Sequence, residues 1–358
     1  MKPCLVSSQA ESLHRRLIVC DLTLPLDSDY ELVDYGALFR RLVDAGYTFV
    51  SITIATDSSN IGRTMHALAR HRAYFGERPE QFLIVQEAED IRRAKQNGQL
   101  AVSFHLQGTN SLEQDLHMVE IYYDLGIRHM LLAYNLRNAV GDGCHERTDA
   151  GLSRFGVELV REMNRVGVIV DCSHTGYRTT MDAFDVAAAP VIFSHSNARA
   201  LLDHERNIRD EQIRGCAATG GVIGVNGVDL FLGAHASPAE AMAHHIDYIA
   251  SLVGIEHVAI GLDYVLQAAA LNAILKVPSN IYPESAGYRK GVDIAGPETL
   301  PALTDCLLKR GYSDADVACA LGGNFLRVAE AVWRRAGTRA TAAARDESQP
   351  ADVRRIAP

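Results

Sequence analysis

Short runs rich in valine and isoleucine alternate with longer stretches of helical periodicity from residue 17 to residue 263. The runs are 17–21 (LIVCD), 47–54 (YTFVSITI), 82–86 (FLIVQ), 100–105 (LAVSFH) and 128–134 (RHMLLAY). They continue with 167–172, 190–194, 221–226 (GVIGVN) and 257–263 (HVAIGLD). Between them lie helix-like segments at 35–45, 61–74, 112–124, 154–165, 178–188, 211–219 and 238–253. Strands that read as near-continuous apolar runs are covered on both faces, which is the signature of a parallel sheet. The β-then-α order with short connections makes βαβ units. Nine runs in about 250 residues suit an eight-stranded (β/α)8 barrel of the TIM type with one strand to spare. A doubly wound open sheet is the rival, but no Gly-x-Gly-x-x-Gly follows an early strand.

Other regions break the pattern. Residues 268–297 carry Pro278, Pro283 and Pro297 and read as an insertion loop over the strand ends, a common place for a substrate lid. Residues 297–336 return to helices, with Ser313 and Asp316 spaced as an N-cap pair. The expected organisation is a short leader over 1–16, one barrel domain over 17–336, and a disordered tail over 337–358 rich in Ala, Arg, Asp and Pro.

Composition narrows the class of function. A net charge of −9 without a dense basic block argues against a nucleic-acid partner. No run approaches the ~20 apolar residues of a membrane span, and neither a signal peptide nor an anchor tail is legible, so a cytoplasmic protein is expected. The seven cysteines are widely spaced and form no Cys-x-x-Cys, which speaks against a disulfide framework or a thiolate zinc site.

In a parallel barrel the functional groups gather where the strands end. Polar residues at those ends are Asp21 and Thr23, His105 and Gln107, Tyr134 and Asn135, His174, His195, Asn226 and Asp263. Two successive runs end in the same phrase, Ser173-His174 and Ser194-His195. A lone histidine after a strand is usually structural, but two at the same relative point suggest imidazole ligands to a metal on the barrel rim. Arg206 lies just before a helix start on that rim, where a guanidinium can clamp a carboxylate or simply make a surface ion pair. Asp263 can exchange a proton beside a metal, or cap the loop that follows it.

These residues together resemble the membrane (renal) dipeptidase family of metallopeptidases. The resemblance rests on DCSHTG (171–176), APVIFSHSNARAL (189–201), HERNI (204–208), TGGVIGVNG (219–227), HVAIGLDY (257–264) and LGGNFLRV (321–328). It implies an amidohydrolase-like (β/α)8 barrel with two zinc ions that cleaves dipeptides, including those with a second D-residue. It further implies His174 and His195 as ligands of the second zinc, Arg206 as the substrate-carboxylate clamp and Asp263 as the proton-handling aspartate. The substrate expected on that basis is a small dipeptide-like molecule, with a homodimer as an option.

Three positions depart from the family. Its His-x-Asp pair on the first strand is absent from VCDLTLPL (19–26), where Thr23 stands near the histidine position. Its bridging glutamate is replaced by Gln107, and a family histidine aligns with Tyr134. Gln107 offers one neutral oxygen where a glutamate would bridge two dications. One zinc is therefore expected rather than two, on His174 and His195, with Asp21, Asp263 or His105 as a third donor and Gln107 as a weak one. Tyr134 is expected to donate to the substrate in place of the missing imidazole. The expected activity is a metallo-dipeptidase acting on a small amide with a free carboxylate. The competing expectation is a barrel that has lost its chemistry and binds a metabolite or serves in an assembly; altered, metal-free amide or lactone chemistry is a third.

Overall fold

The computed structural model describes residues 6–26 and 35–334. All nine runs form strands: β1 (Cys20–Pro25), β2 (Phe49–Thr56), β3 (Phe82–Ile84), β4 (Leu100–Gln107), β5 (Ile127–Leu131), β6 (Ile169–Asp171), β7 (Val191–Ile192), β8 (Ile223–Val225) and β9 (Val258–Ile260). Pairing runs β1-β2-β4-β5-β6-β7, with β8 beside β9, and every pairing between these strands is parallel. A bridge between Phe193 and Ile223 joins β7 to β8. The ring closes where Asp263 N donates to Thr23 O at 3.2 Å and Leu262 N donates to Asp21 Oδ1 at 2.9 Å. The spare strand is β3, which pairs with the first half of β4 while β5 pairs with the second half. The ring is thus the eight-stranded barrel.

The middle strands alternate more than their apolar look suggests. Val50, Ile52 and Ile54 of β2, and Val102, Phe104 and Leu106 of β4, belong to the large core packed with the surrounding helices. Their neighbours Ser51, Thr53, Ser103, His105 and Gln107 are equally buried but polar. Buried polar groups need partners, and these find one another. Ser51 Oγ meets His105 Nδ1 at 3.0 Å and His129 Nε2 at 2.9 Å, while Thr53 Oγ1 meets His105 Nε2 at 2.9 Å. Both nitrogens of His105, a candidate metal donor, are therefore engaged inside the barrel. A second apolar cluster contains Phe49, Ala101, Ile169 and Ile192 together with Phe325 and Trp333 of the C-terminal helical region, with Phe49 and Phe325 rings 5.2 Å apart.

Local chemistry sets the helix ends. Ser153 Oγ accepts Gly156 N at the start of helix Arg154–Val166, and Gly167 closes it at φ +95°. Helix Pro238–Val253 begins with Ser237 as cap and proline in its first turn. Ser313 and Asp316 form the expected reciprocal cap. Helix Ser8–Arg16 lies within the stretch read as a leader and is anchored by His14, which contacts Thr304 Oγ1 and Ala45 O. The stretch 112–124 departs from its expected single helix. Glu113 and Gln114 adopt φ of 49° and 60°, so a 3₁₀ turn (Asn110–Leu112) ends there and helix Met118–Asp124 starts afresh. Residues 268–297 hold a helix, Ala268–Leu275, that the expected loop did not include. Residues 337–358, expected to be disordered, lie outside the described residues. Among the described residues no helix is long and apolar enough to cross a membrane.

Where β7, β8 and β9 adjoin, the packing demands bare backbone within β8 and just past β9. A Cβ on Gly261 would stand 1.8 Å from Ser194 O, and one on Gly224 2.0 Å from the same atom. Gly261→Ala should therefore lose at least about 1–3 kcal/mol of stability in urea denaturation. Gly76→Ala, where a new Cβ meets nothing within 4 Å, should stay near parental stability. Equal stabilities for the two variants would show that this contact does not hold the ring.

Candidate functional site

Three of the five described non-glycine residues with positive φ stand at strand ends of the barrel: Asn135 at 61°, His174 at 63° and Asp263 at 60°. Non-glycine residues seldom occupy this region, though Asn, Asp and His tolerate it best, and such strain concentrates at functional sites. The three form part of one polar mouth. Asn135 Nδ2 donates to Ile281 O at 3.0 Å, which fixes the amide orientation. Its Oδ1 therefore faces His174 Nδ1 at 2.6 Å and must accept a proton from it. That leaves His174 Nε2 with a free lone pair, aimed at His195 Nε2 2.9 Å away. His195 Nδ1 lies 2.7 Å from Ser194 Oγ and 3.0 Å from Thr23 Oγ1, hydroxyls able to donate or accept. Burial, reinforced by the Arg206 charge, holds His174 well below its ordinary value and His195 down to about 3. Both rings are neutral at pH 7, the form that ligates a metal.

His174 and His195 are the two imidazoles that face one another at this mouth. His174 presents its lone pair, and its Nδ1 partner is the kind of outer contact that orients ligating imidazoles. His195 reaches the same point once its proton moves to Nδ1. The neighbouring rim positions make other contacts. Thr23 spends its hydroxyl on His195, Pro25 ends β1, and Gln107 Nε2 donates to Thr53 Oγ1 at 2.9 Å. Asp21 Oδ1 accepts two backbone amides, Thr23 N at 3.2 Å and Leu262 N at 2.9 Å, so this carboxylate ties β9 to β1. Burial pushes its carboxyl up to about 7 against those two bonds. Among the described residues no group of three His, Cys, Asp or Glu side chains is placed to hold an ion.

Among the described residues, His174 is the one that lines both of two cavities. The larger, of about 580 Å³, is lined by Gln107, Tyr134 and Asp263 and roofed by Leu271, Ile274 and Tyr282 of the 268–297 segment. That segment thus lies over the strand ends, and Tyr282 Oη sits 2.8 Å from Tyr134 Oη. The Tyr134 ring stacks on His174, centroids 4.2 Å apart, and burial holds its phenol well above its ordinary value. The smaller cavity, of about 270 Å³, is lined by Arg206, Arg209 and Glu205. Arg206 is 3% exposed. Its Nη2 donates to His195 O at 3.2 Å, its guanidinium lies 5.3 Å from the Phe231 ring centre, and its Nε has no hydrogen-bond partner. A buried cation with a spare donor suits an anionic ligand. Asp263 Oδ2 accepts from Asn226 Nδ2 at 3.2 Å, and burial pushes its carboxyl up to about 7 despite the nearby Arg206 charge.

Asp57 was not singled out in the sequence. Its two oxygens accept from Thr109 N, Asn110 N, Tyr134 N and Asn138 Nδ2, at 2.8–3.1 Å, and so tie the loops after β2, β4 and β5 together. Its place just past the β2 run was the available signal. His145 was also missed. It bonds Glu205 Oε2 at 2.6 Å and the Tyr288 hydroxyl at 2.9 Å, tying the 268–297 segment to the rim.

The sequence matches the family model of the membrane dipeptidases (peptidase family M19) over residues 20–281. An uncharacterized dipeptidase of Schizosaccharomyces pombe is 38% identical over 181 residues, 49% of this chain and 44% of that protein. The chain thus spans under half the length of that relative. An uncharacterized protein encoded in the pqqA 5′ region of Klebsiella pneumoniae is 30% identical over 258 residues, 69% of this chain and 88% of that one. Among solved structures, an amidohydrolase from Pseudomonas aeruginosa superposes with a TM-score of 0.82 at 29% identity, covering 90% of this chain and 99% of that one.

The elevated Asp263 carboxyl predicts a pH-dependent stability. An unfolded aspartate titrates near ~3.9, whereas the folded group takes up its proton below about 7. Between those values the folded state binds more protons, so this group's contribution to stability falls as pH rises and is fully unfavourable above about 7. Asp263→Asn should therefore melt above the parent protein at pH 8, with the gap closing toward pH 4. A gap that opens toward low pH instead would contradict the assignment.

Proposed function

We propose, taking as premise that the chain belongs to the membrane dipeptidase family, that it hydrolyses a small amide carrying a free carboxylate. The observation that carries this reading is that His174 lines two unlike cavities. A carboxylate fits beside Arg206 in the polar cavity, and the rest of the substrate fits the larger one. The scissile amide then lies next to His174, between Tyr134 and Asp263. Arg206 would bind the carboxylate through its guanidinium. Asp263 would take a proton from the attacking water and return it to the leaving nitrogen, a role suited to a carboxyl near 7. Tyr134, held protonated by burial, would donate to the developing oxyanion. A single zinc ion on the Nε2 atoms of His174 and His195 would supply polarisation of the carbonyl and a more acidic water. Two imidazoles are one protein ligand short of the usual catalytic zinc site, so this ion is expected to be weakly held. The six described cysteines are free, which supports a reducing compartment such as the cytoplasm.

Elemental analysis of protein purified without chelator should find at most one zinc per chain. His195→Ala should abolish that binding. Arg206→Ala should retain the metal and raise KM for carboxylate substrates about tenfold or more, and Tyr134→Phe should lower kcat about 10²-fold. Absence of bound metal, together with no hydrolysis after adding zinc, cobalt or manganese, would overturn the hydrolytic reading. An unchanged KM in Arg206→Ala would overturn the carboxylate assignment.

A further inference from the structure

We propose that Asp57 is a positioning residue: it sets Tyr134 over His174 and, through that placement, the rate of the reaction. The inference rests on the reading above in which the Tyr134 hydroxyl donates to the substrate. Asp57 stands just past β2 and lines the larger cavity. Its Oδ1 accepts Thr109 N at 2.8 Å and Asn110 N at 3.1 Å, from the loop that leaves β4. Its Oδ2 accepts Tyr134 N at 2.8 Å and Asn138 Nδ2 at 3.0 Å, from the loop that leaves β5. Asn110 Nδ2 also donates to Asp57 O at 2.8 Å. Four N–H donors thus converge on one side chain. A carboxylate accepts at both oxygens, whereas an amide would turn its own donors on one of the two pairs. The backbone opposite clears room for the carboxylate. Gly108, at φ +138°, lies so near that a Cβ there would stand 2.3 Å from Asp57 Oδ1.

The bond to Tyr134 N fixes the base of a lever. β5 ends at Leu131, and Leu132 N still donates to Asp171 O at 3.2 Å. Two residues on, Tyr134 N is held by Asp57, and Asn135 then turns into left-handed backbone at φ 61°. Beyond that base, the Tyr134 ring lies on His174 with centroids 4.2 Å apart, and its hydroxyl sits 2.8 Å from that of Tyr282. A ring face and a rotating hydroxyl tolerate sliding. A charge-assisted bond to a carboxylate that three other N–H groups hold in place does not. A donor to a developing oxyanion must be placed to about 0.5 Å, and an error of about 1 Å can cost about 10²-fold in rate.

Steady-state kinetics of the full-length protein with zinc, on leucyl-D-alanine and leucyl-L-alanine, tests this together with crystal structures of the variants. Asp57→Ala should lower kcat about 10–100-fold and leave KM within about threefold, because the carboxylate contact at Arg206 is untouched. In a Tyr134→Phe background the same change should cost no more than about threefold, since no hydroxyl is left to misplace. Losses that multiply in the double variant, or a parental kcat in either single variant, would overturn the proposal. Asn110→Ala deletes one bond to Asp57 from an exposed side chain and answers the same question should Asp57→Ala not fold. It should lower kcat about threefold or more, again only where the Tyr134 hydroxyl is present. In the crystal structures the Tyr134 ring should be displaced from its parental place on His174, by about 1 Å in Asp57→Ala and in the same direction in Asn110→Ala. A ring that stays in place would overturn the proposal. A parent protein that cleaves neither dipeptide would overturn the hydrolytic reading alone, and the position of the ring would then decide the part played by Asp57.

Discussion

The mouth of the barrel depends on one buried carboxylate. Asp171 ends β6, and its Oδ1 accepts Ser173 N at 2.9 Å and Ser194 N at 3.1 Å. Its Oδ2 meets His129 Nδ1 at 3.2 Å. Burial alone would raise its carboxyl, but the bond and charge of His129 keep it below its ordinary value. The group therefore stays ionised inside the barrel, where charge-assisted bonds are strong and an unpaired anion is costly. Those two amides belong to the residues just before His174 and His195. A single anion thus sets the paths of both chains as they leave the strands, and His195 N adds a bond to Ser173 Oγ at 3.1 Å. The repeated Ser-His phrase is two chain exits fastened to one carboxylate.

Much of this was legible in the sequence because strand existence and strand ends follow from hydrophobic patterning. The nine runs became nine strands, and the polar residues just past them became the mouth. The inward faces were harder to read. In VSITI and VSFHLQ a serine, threonine or histidine every second residue looks like dilution of an apolar run. Only the closed ring shows that these side chains meet their partners across the interior. The orientation of Asn135 was beyond sequence reading for a similar reason. It is set by a carbonyl 146 residues away, in the segment that roofs the cavity. The 112–124 helix failed because left-handed geometry at Glu113 and Gln114 leaves no mark in hydrophobic periodicity. Helix Ala268–Leu275 was hidden by apolar residues on all sides of it, several of which line the cavity beneath.

Three rim residues around the imidazole pair are each engaged by a neighbour. Thr23 turns its hydroxyl to His195, Gln107 turns its amide to Thr53, and Tyr134 lays its ring on His174. Each of these contacts fixes a neighbour. The result is a mouth in which the imidazole pair, the tyrosine and the elevated aspartate keep defined partners.

The strained residues bear on what such a mouth is built to do. Left-handed backbone at Asn135, His174 and Asp263 costs energy at three points. At each, the conformation serves a placement. Asn135 faces His174 while reaching the roof, His174 faces His195 between the two cavities, and Asp263 faces Asn226 beside the larger one. A barrel with only a packing role would gain nothing by holding polar side chains in these conformations, and its Arg206 would not keep a buried Nε unpaired.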